Sequence, residues 1–238
     1  MSSMETKITP KLESSFKFQV SKLDSGKQHR VHVETRQPSI TISREFGCEG
    51  YPLAHKLAET LSKLGSEWNI FNRDVFDQIT ESPEFSEKLL DEIKAERRNQ
   101  LQQYLDQLFA QTPTELVRFK KLAQNIRAVT TRGNAIVVGA GGAIIGHDDP
   151  NQFHVRLIAS TEFKVGRLRP LVPDLSTNEL IETIDHTNAK RVEFIREFTS
   201  RDIREEKYYD IVINNDRFNV DEMVELIVAA MKIRGLLH

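Results

Sequence analysis

From residue 39 to its end, the chain repeats one pattern: a short apolar strand, a turn and a helix. Strands separated by helices pair in parallel, because each helix carries the chain back to the edge where the previous strand began. The pattern therefore predicts an α/β fold, a three-layer sandwich with a five-stranded parallel sheet between helices. The predicted strands are 40–42, 68–71, 135–138, 153–159 and 209–213, and the helices are 52–64, 73–80, 84–131 with a break at 111–113, one from 161, 179–198 and 220–232.

Composition limits the choice of partners. The chain has 33 Lys plus Arg against 35 Asp plus Glu and a formal net charge of −2. This balance gives no field of one sign that would attract nucleic acid or an acidic membrane, so we expect neither partner. The longest mostly apolar run, 134–146, is shorter than the roughly 18 residues that span a bilayer. With Cys48 as the single cysteine, the sequence predicts no disulfide, no zinc site and a cytoplasmic protein.

Two segments lie outside the repeating pattern. Residues 1–37 alternate apolar and polar side chains around a turn at 24–26, which predicts an N-terminal extension with a β-hairpin. The alternative is a tail that orders only against the main body, or not at all. Residues 38–238 are expected to form one domain. Its helical insertion, 84–131, is expected to cover the sheet or to support a homodimer, and the oligomeric state stays open.

Unusual residues follow three of the predicted strands. In an open parallel sheet the ligand lies at the carboxyl ends of the strands. The segment 43–51 is the sharpest candidate, because a strand, a glycine-bearing turn and a helix start bring backbone N–H groups and a positive dipole end together, as phosphate requires. The other two candidates are Asn72 with Arg73, and the glycine-rich turn 139–142.

The first of these segments does not match the P-loop pattern GxxxxGK[ST]. Aligning strand and helix places the four fixed residues of that pattern at Arg44, Glu49, Gly50 and Tyr51, and none of them matches. From the residues alone, the turn is therefore either a phosphate site or only a tight connection between strand and helix.

Longer stretches resemble the cytidylate kinase-like family, a branch of the nucleoside monophosphate kinase-like P-loop proteins. SITISREFGCEGYPLAHKLAETL is similar to the opening ISRxxGSGGREIxxxLA of that family. NAIVVGAGGAII resembles its CVIVGRGADYIL, and FHVRLIASTEFKVGRL its LRVFIYAPLEDRIKRI. AKRVEFIREFTSRD is similar to the helix that carries its lid arginines, and YYDIVINNDRFNVDEMVELIVAAM to its closing YDLVLNTSRLSVEEAVDLIV. The likeness runs in order over residues 39–232.

The resemblance implies a P-loop kinase-like domain with a lid region at 165–205. It also implies an ATP-dependent phosphotransferase that uses ATP and Mg²⁺ and moves the γ-phosphoryl group to a small acceptor such as cytidine monophosphate. The implied catalytic residues are Arg191 and Arg196 of the lid helix. The implied nucleotide-binding residues are Arg44, Gly47, Cys48, Glu49, Gly50, Tyr51, Asn214 and Asn215, and the implied acceptor-side residues are Asn72, Arg73, Gly139, Gly141 and Gly142.

The sequence departs from the family at positions of the implied site. Glu49 stands where the family has Gly, Tyr51 and Ala140 where it has Arg, and Asn72 where Asp is usual. A carboxylate beside phosphate is unfavourable because like charges repel. These departures keep a second hypothesis open, a pseudokinase that binds nucleotide or protein without catalysis.

Two side-chain roles also stay open. Cys48 is read as a small residue in place of serine, or as a reactive thiol. The arginines of 165–205 are read as a lid cluster, or as a salt-bridged helix face.

Overall fold

A computed structural model describes residues 36–81 and 114–237. The hairpin predicted within 1–37 and the insertion up to residue 113 lie outside these residues. The strands are β1 (Ser39–Arg44), β2 (Asn69–Phe71), β3 (Ala135–Val138), β4 (Gln152–Ile158) and β5 (Ile211–Asn214). The helices of the described residues are α1 (Gly50–Ser62), α2 (Arg73–Glu81), α3 (Thr114–Arg132), α4 (Gly142–Gly146), α5 (Thr161–Leu168), α6 (Thr177–Thr199) and α7 (Val220–Ile233), with 3₁₀ turns at Arg169–Leu171 and Glu206–Tyr208.

The sheet confirms the predicted class: five parallel strands in the order β2-β3-β1-β4-β5. The strand β1 is central, and Ile40 lies opposite Ile136 of β3 on one side and Phe153 of β4 on the other. After β1 the chain first forms β2 and β3 on one side of β1, and then β4 and β5 on the other side. The turn that follows β1 therefore lies at a topological switch point, where open α/β sheets bind ligands.

The two faces of the central strands differ in chemistry. Ile40, Ile42 and Val155 belong to an apolar core to which the helices α1 and α7 contribute, among others, Leu53, Leu57, Ile227 and Met231. On the opposite face, β1 and β4 pair polar residues, since Ser39, Thr41 and Ser43 lie beside Gln152, His154 and Arg156. Two of these polar side chains bind α3: Ser39 Oγ donates to the Thr130 carbonyl at 2.8 Å, and Gln152 Nε2 donates to Thr130 Oγ1 at 3.0 Å.

The starts of three helices follow from local hydrogen bonding. Ser160 Oγ accepts the Phe163 N–H and caps α5. Ser176 with Glu179 and Asn219 with Glu222 form capping boxes at α6 and α7, in which each pair satisfies two backbone N–H groups that the helix leaves without a partner.

Most predicted bounds shift by one or two residues, and two differences have a local cause. The strand β5 begins at Ile211 rather than at 209, because the Asp210 carboxylate accepts the His154 N–H at 2.6 Å and takes the place of a strand carbonyl. The turn predicted at 139–142 gives way to α4 at Gly142. Gly139, Ala140 and Gly141 all have positive φ values of 74°, 53° and 74°, so the reversal is completed in three residues and leaves Gly142 free to start a helix.

Candidate functional site

The turn between β1 and α1, residues 45–49, lies at the centre of the carboxyl edge of the sheet. The Glu45 N–H donates to the Leu157 carbonyl of β4 at 3.1 Å, and the Cys48 N–H closes the turn on the Glu45 carbonyl at 3.2 Å. Gly47 has a φ of 98°, and a Cβ atom there would lie 2.8 Å from Lys164 Cβ. The helix α5 therefore packs directly against the turn, which only a residue without a side chain permits at position 47.

Both carboxylates of the turn are paired with cations. Glu45 Oε2 lies 2.9 Å from Lys164 Nζ, and Glu45 Oε1 lies 3.9 Å from Arg156 Nη2. Glu49 Oε1 lies 3.5 Å from Arg167 Nε, and Glu49 Oε2 accepts a hydrogen bond from Asn215 Nδ2 at 3.0 Å. Arg167 Nη1 also donates to the Gly47 carbonyl at 2.8 Å. The negative charge of Glu49 is thus offset by an arginine of α5.

The backbone N–H groups of this segment divide into two sets. Besides the Glu45 N–H, three are bound inside the protein: Phe46 N–H donates to Asn188 Oδ1 at 2.7 Å, Glu49 N–H to Asn215 Oδ1 at 2.8 Å, and Cys48 N–H to the Glu45 carbonyl. For Gly47, Gly50 and Tyr51, the part of the chain that the structure describes offers no acceptor. The second set comprises the donors that a bound anion would meet.

Arg44 crosses from the end of β1 over the first turn of α1. A Cβ atom at position 50 would lie 3.0 Å from Arg44 Cγ and 3.2 Å from Arg44 Cδ, and one at position 139 would overlap Arg44 Nη1. The Arg44 guanidinium carbon lies 5.6 Å from the ring centroid of Tyr51. The arginine therefore occupies a channel between two glycines and ends against the turn after β3.

The helix α6 lies over the same turn. Besides the bond from Phe46 to Asn188, Arg191 Nη1 donates to the Arg44 carbonyl at 3.4 Å, and its guanidinium lies 5.4 Å from the Phe46 ring centroid. Further along, Ile195 packs on Gly141, where a Cβ atom would lie 2.5 Å from Ile195 Cδ1. The structure thus places Arg191 next to the turn.

Arg196 has a different setting on α6. Its Nη2 atom lies 2.5 Å from Asp202 Oδ2, and Arg204 binds the same carboxylate at 2.6 Å. These contacts lower the pKa of Asp202, chiefly through the hydrogen bond from Arg204. For Arg196 and Arg204 the arrangement is the salt-bridged surface that we gave as the alternative to a lid cluster.

The acceptor-side residues surround the ends of β2 and β3. Asn72 is buried, and its Oδ1 atom accepts the Val75 N–H at 2.9 Å. Its Nδ2 atom has no hydrogen-bond partner among the described residues. Arg73 pairs with Asp77 at 3.1 Å and lies 4.8 Å from the ring centroid of Phe194 on α6. A Cβ atom at Gly142 would lie 2.9 Å from Val137 Cγ1, so this glycine is needed for packing.

Asn214 and Asn215 occupy the loop after β5. Asn215 binds the turn, whereas Asn214 Oδ1 accepts the N–H of Asp216 at 3.0 Å. Asp216 in turn accepts a hydrogen bond from the Ser160 N–H at 2.7 Å. The loop is therefore connected both to the turn and to the start of α5.

The surroundings of Cys48 favour a small residue in place of serine over a reactive thiol. Burial, followed by the negative charge of Glu45, raises its pKa to about 12. A raised pKa favours the protonated thiol at neutral pH, and only the thiolate is a good nucleophile.

Sequence reasoning missed several residues that build the site. Lys164 is one of them, although it lies three residues from Arg167, which the sequence placed among the arginines of 165–205, and this spacing puts both on one face of α5. Asn188 carried no such signal, because it meets Phe46 from 142 residues away.

The described residues were also compared with the requirements of a metal site and of a membrane-spanning helix. Within 36–81 and 114–237, no three His, Cys, Asp or Glu side chains gather as metal ligands. The same residues contain no helix with the length and apolar character needed to cross a membrane.

The sheet order and the strand, turn and helix at its centre define a P-loop kinase-like fold. The chain belongs to the cytidylate kinase-like family, whose sequence profile matches residues 39–217. This match confirms the resemblance found in the sequence.

Comparison with solved structures found similar folds. An uncharacterized protein from Eubacterium ventriosum superposes with a TM-score of 0.64 at 19% identity, over 83% of this chain and 99% of that one. A gluconokinase from Sinorhizobium meliloti gives 0.46 at 12% identity, over 84% and 94% of the two chains. A shikimate kinase from Bacteroides thetaiotaomicron gives 0.42 at 14% identity, over 82% and 98%. At these identities the likeness concerns the fold alone. Among curated proteins, none matches the sequence.

Proposed function

We propose that this protein is an ATP-dependent phosphotransferase that moves the γ-phosphoryl group of ATP to a small acceptor, a nucleoside monophosphate in the first instance. One observation carries the proposal. Cationic side chains outnumber the two carboxylates, Glu45 and Glu49, around the β1–α1 turn. The cationic side chains are those of Arg44, Arg156, Lys164, Arg167 and Arg191.

Such a surplus of positive charge fits a polyphosphate better than a neutral ligand. The N–H groups of Gly47, Gly50 and Tyr51 and the guanidinium of Arg44 would hold the phosphates, and Arg191 would offset the charge that develops during transfer. Phosphoryl transfer depends mainly on such positioning and charge neutralisation. Removing one charge-assisted hydrogen bond costs about 1.5–3 kcal/mol, which corresponds to about a tenfold to a hundredfold loss in rate.

Mg²⁺ is implied by the family, but the described residues do not fit it as direct ligands. Tyr51 occupies the position at which the P-loop pattern has a metal-binding Ser or Thr, and both carboxylates of the turn are ion-paired. We therefore assign no residue to the metal and derive no step from it.

The second candidate function is a nucleotide-binding or protein-binding module without catalysis. The observation that favours it is the pair of hydrogen bonds between Glu49 and Asn215, in which a backbone N–H of the turn is already used. A phosphate group that needs this N–H has to compete with a bond inside the protein.

Calorimetry followed by product analysis separates these functions. The full chain is titrated with ATP, with and without Mg²⁺, and is then incubated with Mg-ATP and each nucleoside monophosphate in turn. A phosphorylated acceptor supports the phosphotransferase. Binding without a product from any of these acceptors supports the inactive module, and a chain that does not bind ATP contradicts both functions.

A further inference from the structure

Arg156 is a buried cation to which the family resemblance assigns no role. It lies near the end of β4, beside Ser43 of β1, on the polar face of the sheet, and only 7% of its surface is exposed. In the family stretch LRVFIYAPLEDRIKRI the aligned residue is phenylalanine, so this chain departs from the family here. Burying a guanidinium is costly unless its donors find acceptors, so the partners of Arg156 indicate what it does.

The ion pair with Glu45 does not account for Arg156. Glu45 Oε1 lies 3.9 Å from Arg156 Nη2, whereas Glu45 Oε2 lies 2.9 Å from Lys164 Nζ. Lys164 is as deeply buried as Arg156, so two buried cations share one carboxylate and the shorter contact belongs to Lys164. The charge of Glu45 is therefore offset even without Arg156.

The shorter hydrogen bond of Arg156 goes to the loop that follows α6. Its Nη1 atom donates to the Ile203 carbonyl at 2.9 Å. Tyr209 Oη donates to the same carbonyl at 2.5 Å and lies 3.2 Å from Ser43 Oγ. The Arg156 guanidinium carbon lies 5.6 Å from the Tyr209 ring centroid. One loop carbonyl thus receives two donors, one from β4 and one from the segment that leads into β5.

This loop, 200–205, begins where α6 ends at Thr199, so its attachment also holds the end of that helix. Further back, α6 contacts the β1–α1 turn through Asn188 and Arg191, which bind backbone groups at 2.7 Å and 3.4 Å. Arg191 is about 12 Å from the end of the helix, at 1.5 Å per residue. Because a helix is stiff over this length, a displacement at Ile203 would also displace Arg191.

We infer that Arg156 is a positioning residue of the transfer reaction: it holds the Ile203 carbonyl, and with it the end of α6, so that Arg191 stays beside the β1–α1 turn. This role requires no contact between Arg156 and the nucleotide. The inference rests on the proposed function, because the group that is positioned is the arginine that offsets charge during transfer.

Two variants of the full chain each remove one donor to Ile203. Arg156→Phe introduces the residue of the family, and Tyr209→Phe removes only a hydroxyl group. Replacing a buried ion by an apolar residue of similar size is often neutral or stabilising, so Arg156→Phe should unfold near the wild-type midpoint in circular dichroism. Arg118→Ala, at an exposed arginine of α3, controls for the loss of one positive charge.

The kinetic test separates kcat from KM, with Mg-ATP and the nucleoside monophosphate that wild type phosphorylates. Both variants should lower kcat by about tenfold and change KM for ATP by less than about threefold, because the turn itself is intact. In an Arg191→Ala background, Arg156→Phe should lower kcat by less than about twofold. A residue that only supports the fold would lower kcat equally in both backgrounds.

Hydrogen–deuterium exchange of the unliganded protein gives a test that does not need activity. The amides of 192–199, the last two turns of α6, should exchange at least about threefold faster in Arg156→Phe and in Tyr209→Phe than in wild type, because the helix end has lost one of its attachments. Arg118→Ala should exchange as wild type does.

The outcomes distinguish this inference from the proposed function. If wild type transfers phosphate and both variants keep its kcat, or lose the same factor in the Arg191→Ala background, the inference is overturned and the proposed function stands. If wild type phosphorylates no acceptor, the transfer activity fails, and exchange decides the role of Arg156: faster rates at 192–199 support it, and unchanged rates overturn it. If Arg156→Phe does not fold, Tyr209→Phe decides both tests by the same criteria.

Discussion

His154 provides a test of the buried polar face of the sheet. Its Nδ1 atom lies 2.7 Å from Thr41 Oγ1, and its Nε2 atom is buried without a partner among the described residues. Burial lowers the pKa of His154 to about 4, although the nearby Asp210 and Asp149 carboxylates favour the charged form. His147 and Arg234 act in the same direction as burial.

The sign of the pH effect follows from this lowered pKa. An unfolded chain binds a proton at His154 near pH 6.5, whereas the folded protein resists protonation until the pH approaches about 4. The neutral His154 therefore contributes fully to the free energy of unfolding above about pH 6.5. This contribution is lost as the pH falls from there toward about 4. At about 1.4 kcal/mol per pKa unit, roughly 2 to 3 kcal/mol of unfolding free energy is lost between pH 7 and pH 4.5.

Urea unfolding of wild type and His154→Val at about pH 7 and pH 4.5 measures this contribution. The variant should be about 1 kcal/mol less stable at pH 7, because it loses the bond to Thr41. On acidification, its free energy of unfolding should fall by roughly 2 kcal/mol less than that of wild type. The exposed His55, replaced by Val, is the control and should behave as wild type. Equal losses for wild type and His154→Val would refute the reasoning.

Three further predictions concern the site and its edges. Replacing Arg191 by Ala should lower phosphoryl transfer by about tenfold to a hundredfold and shift the unfolding midpoint little, with the exposed Lys190→Ala as control; unchanged product formation would contradict the role of Arg191. Glu49→Gln should raise ATP affinity by about tenfold in calorimetry, because it removes a negative charge from the turn and releases Arg167; weaker binding would mean that Glu49 helps to shape the site. Ala140→Gly should raise the unfolding free energy by about 1 kcal/mol in urea, since Ala140 has a φ of 53°; a loss of stability would show that this backbone is not strained.

The sequence was sufficient to predict the sheet and which strand ends meet at its carboxyl edge. The runs predicted as strands at 135–138 and 153–159 correspond to β3 and β4, and the strand ends that are followed by unusual residues lie at one edge of the sheet. The turn at Ala140 was harder, because an alanine with positive φ has no sequence signature that distinguishes it from an ordinary turn residue.

The partners of the turn could not be predicted for a physical reason. Glu49, taken alone, looks unfavourable beside phosphate. Its two partners, Arg167 and Asn215, come from α5 and from the loop after β5, and Asn215 is 166 residues away in sequence. Local patterns describe neighbours within one turn of helix or one strand, whereas the electrostatics of this site arise from contacts that only the folded sheet creates.

The pairing of polar residues between β1 and β4 also determines how these strands align. Parallel strands that are apolar on both faces can slide past each other by one residue at little cost. Here such a slip would turn His154 and Arg156 toward the core formed with α1 and α7, where their polar groups would meet only hydrocarbon. Burying an unpaired charge such as that of Arg156 costs several kcal/mol, so a one-residue slip between β1 and β4 is strongly disfavoured and the β1–α1 turn stays beside the end of β4.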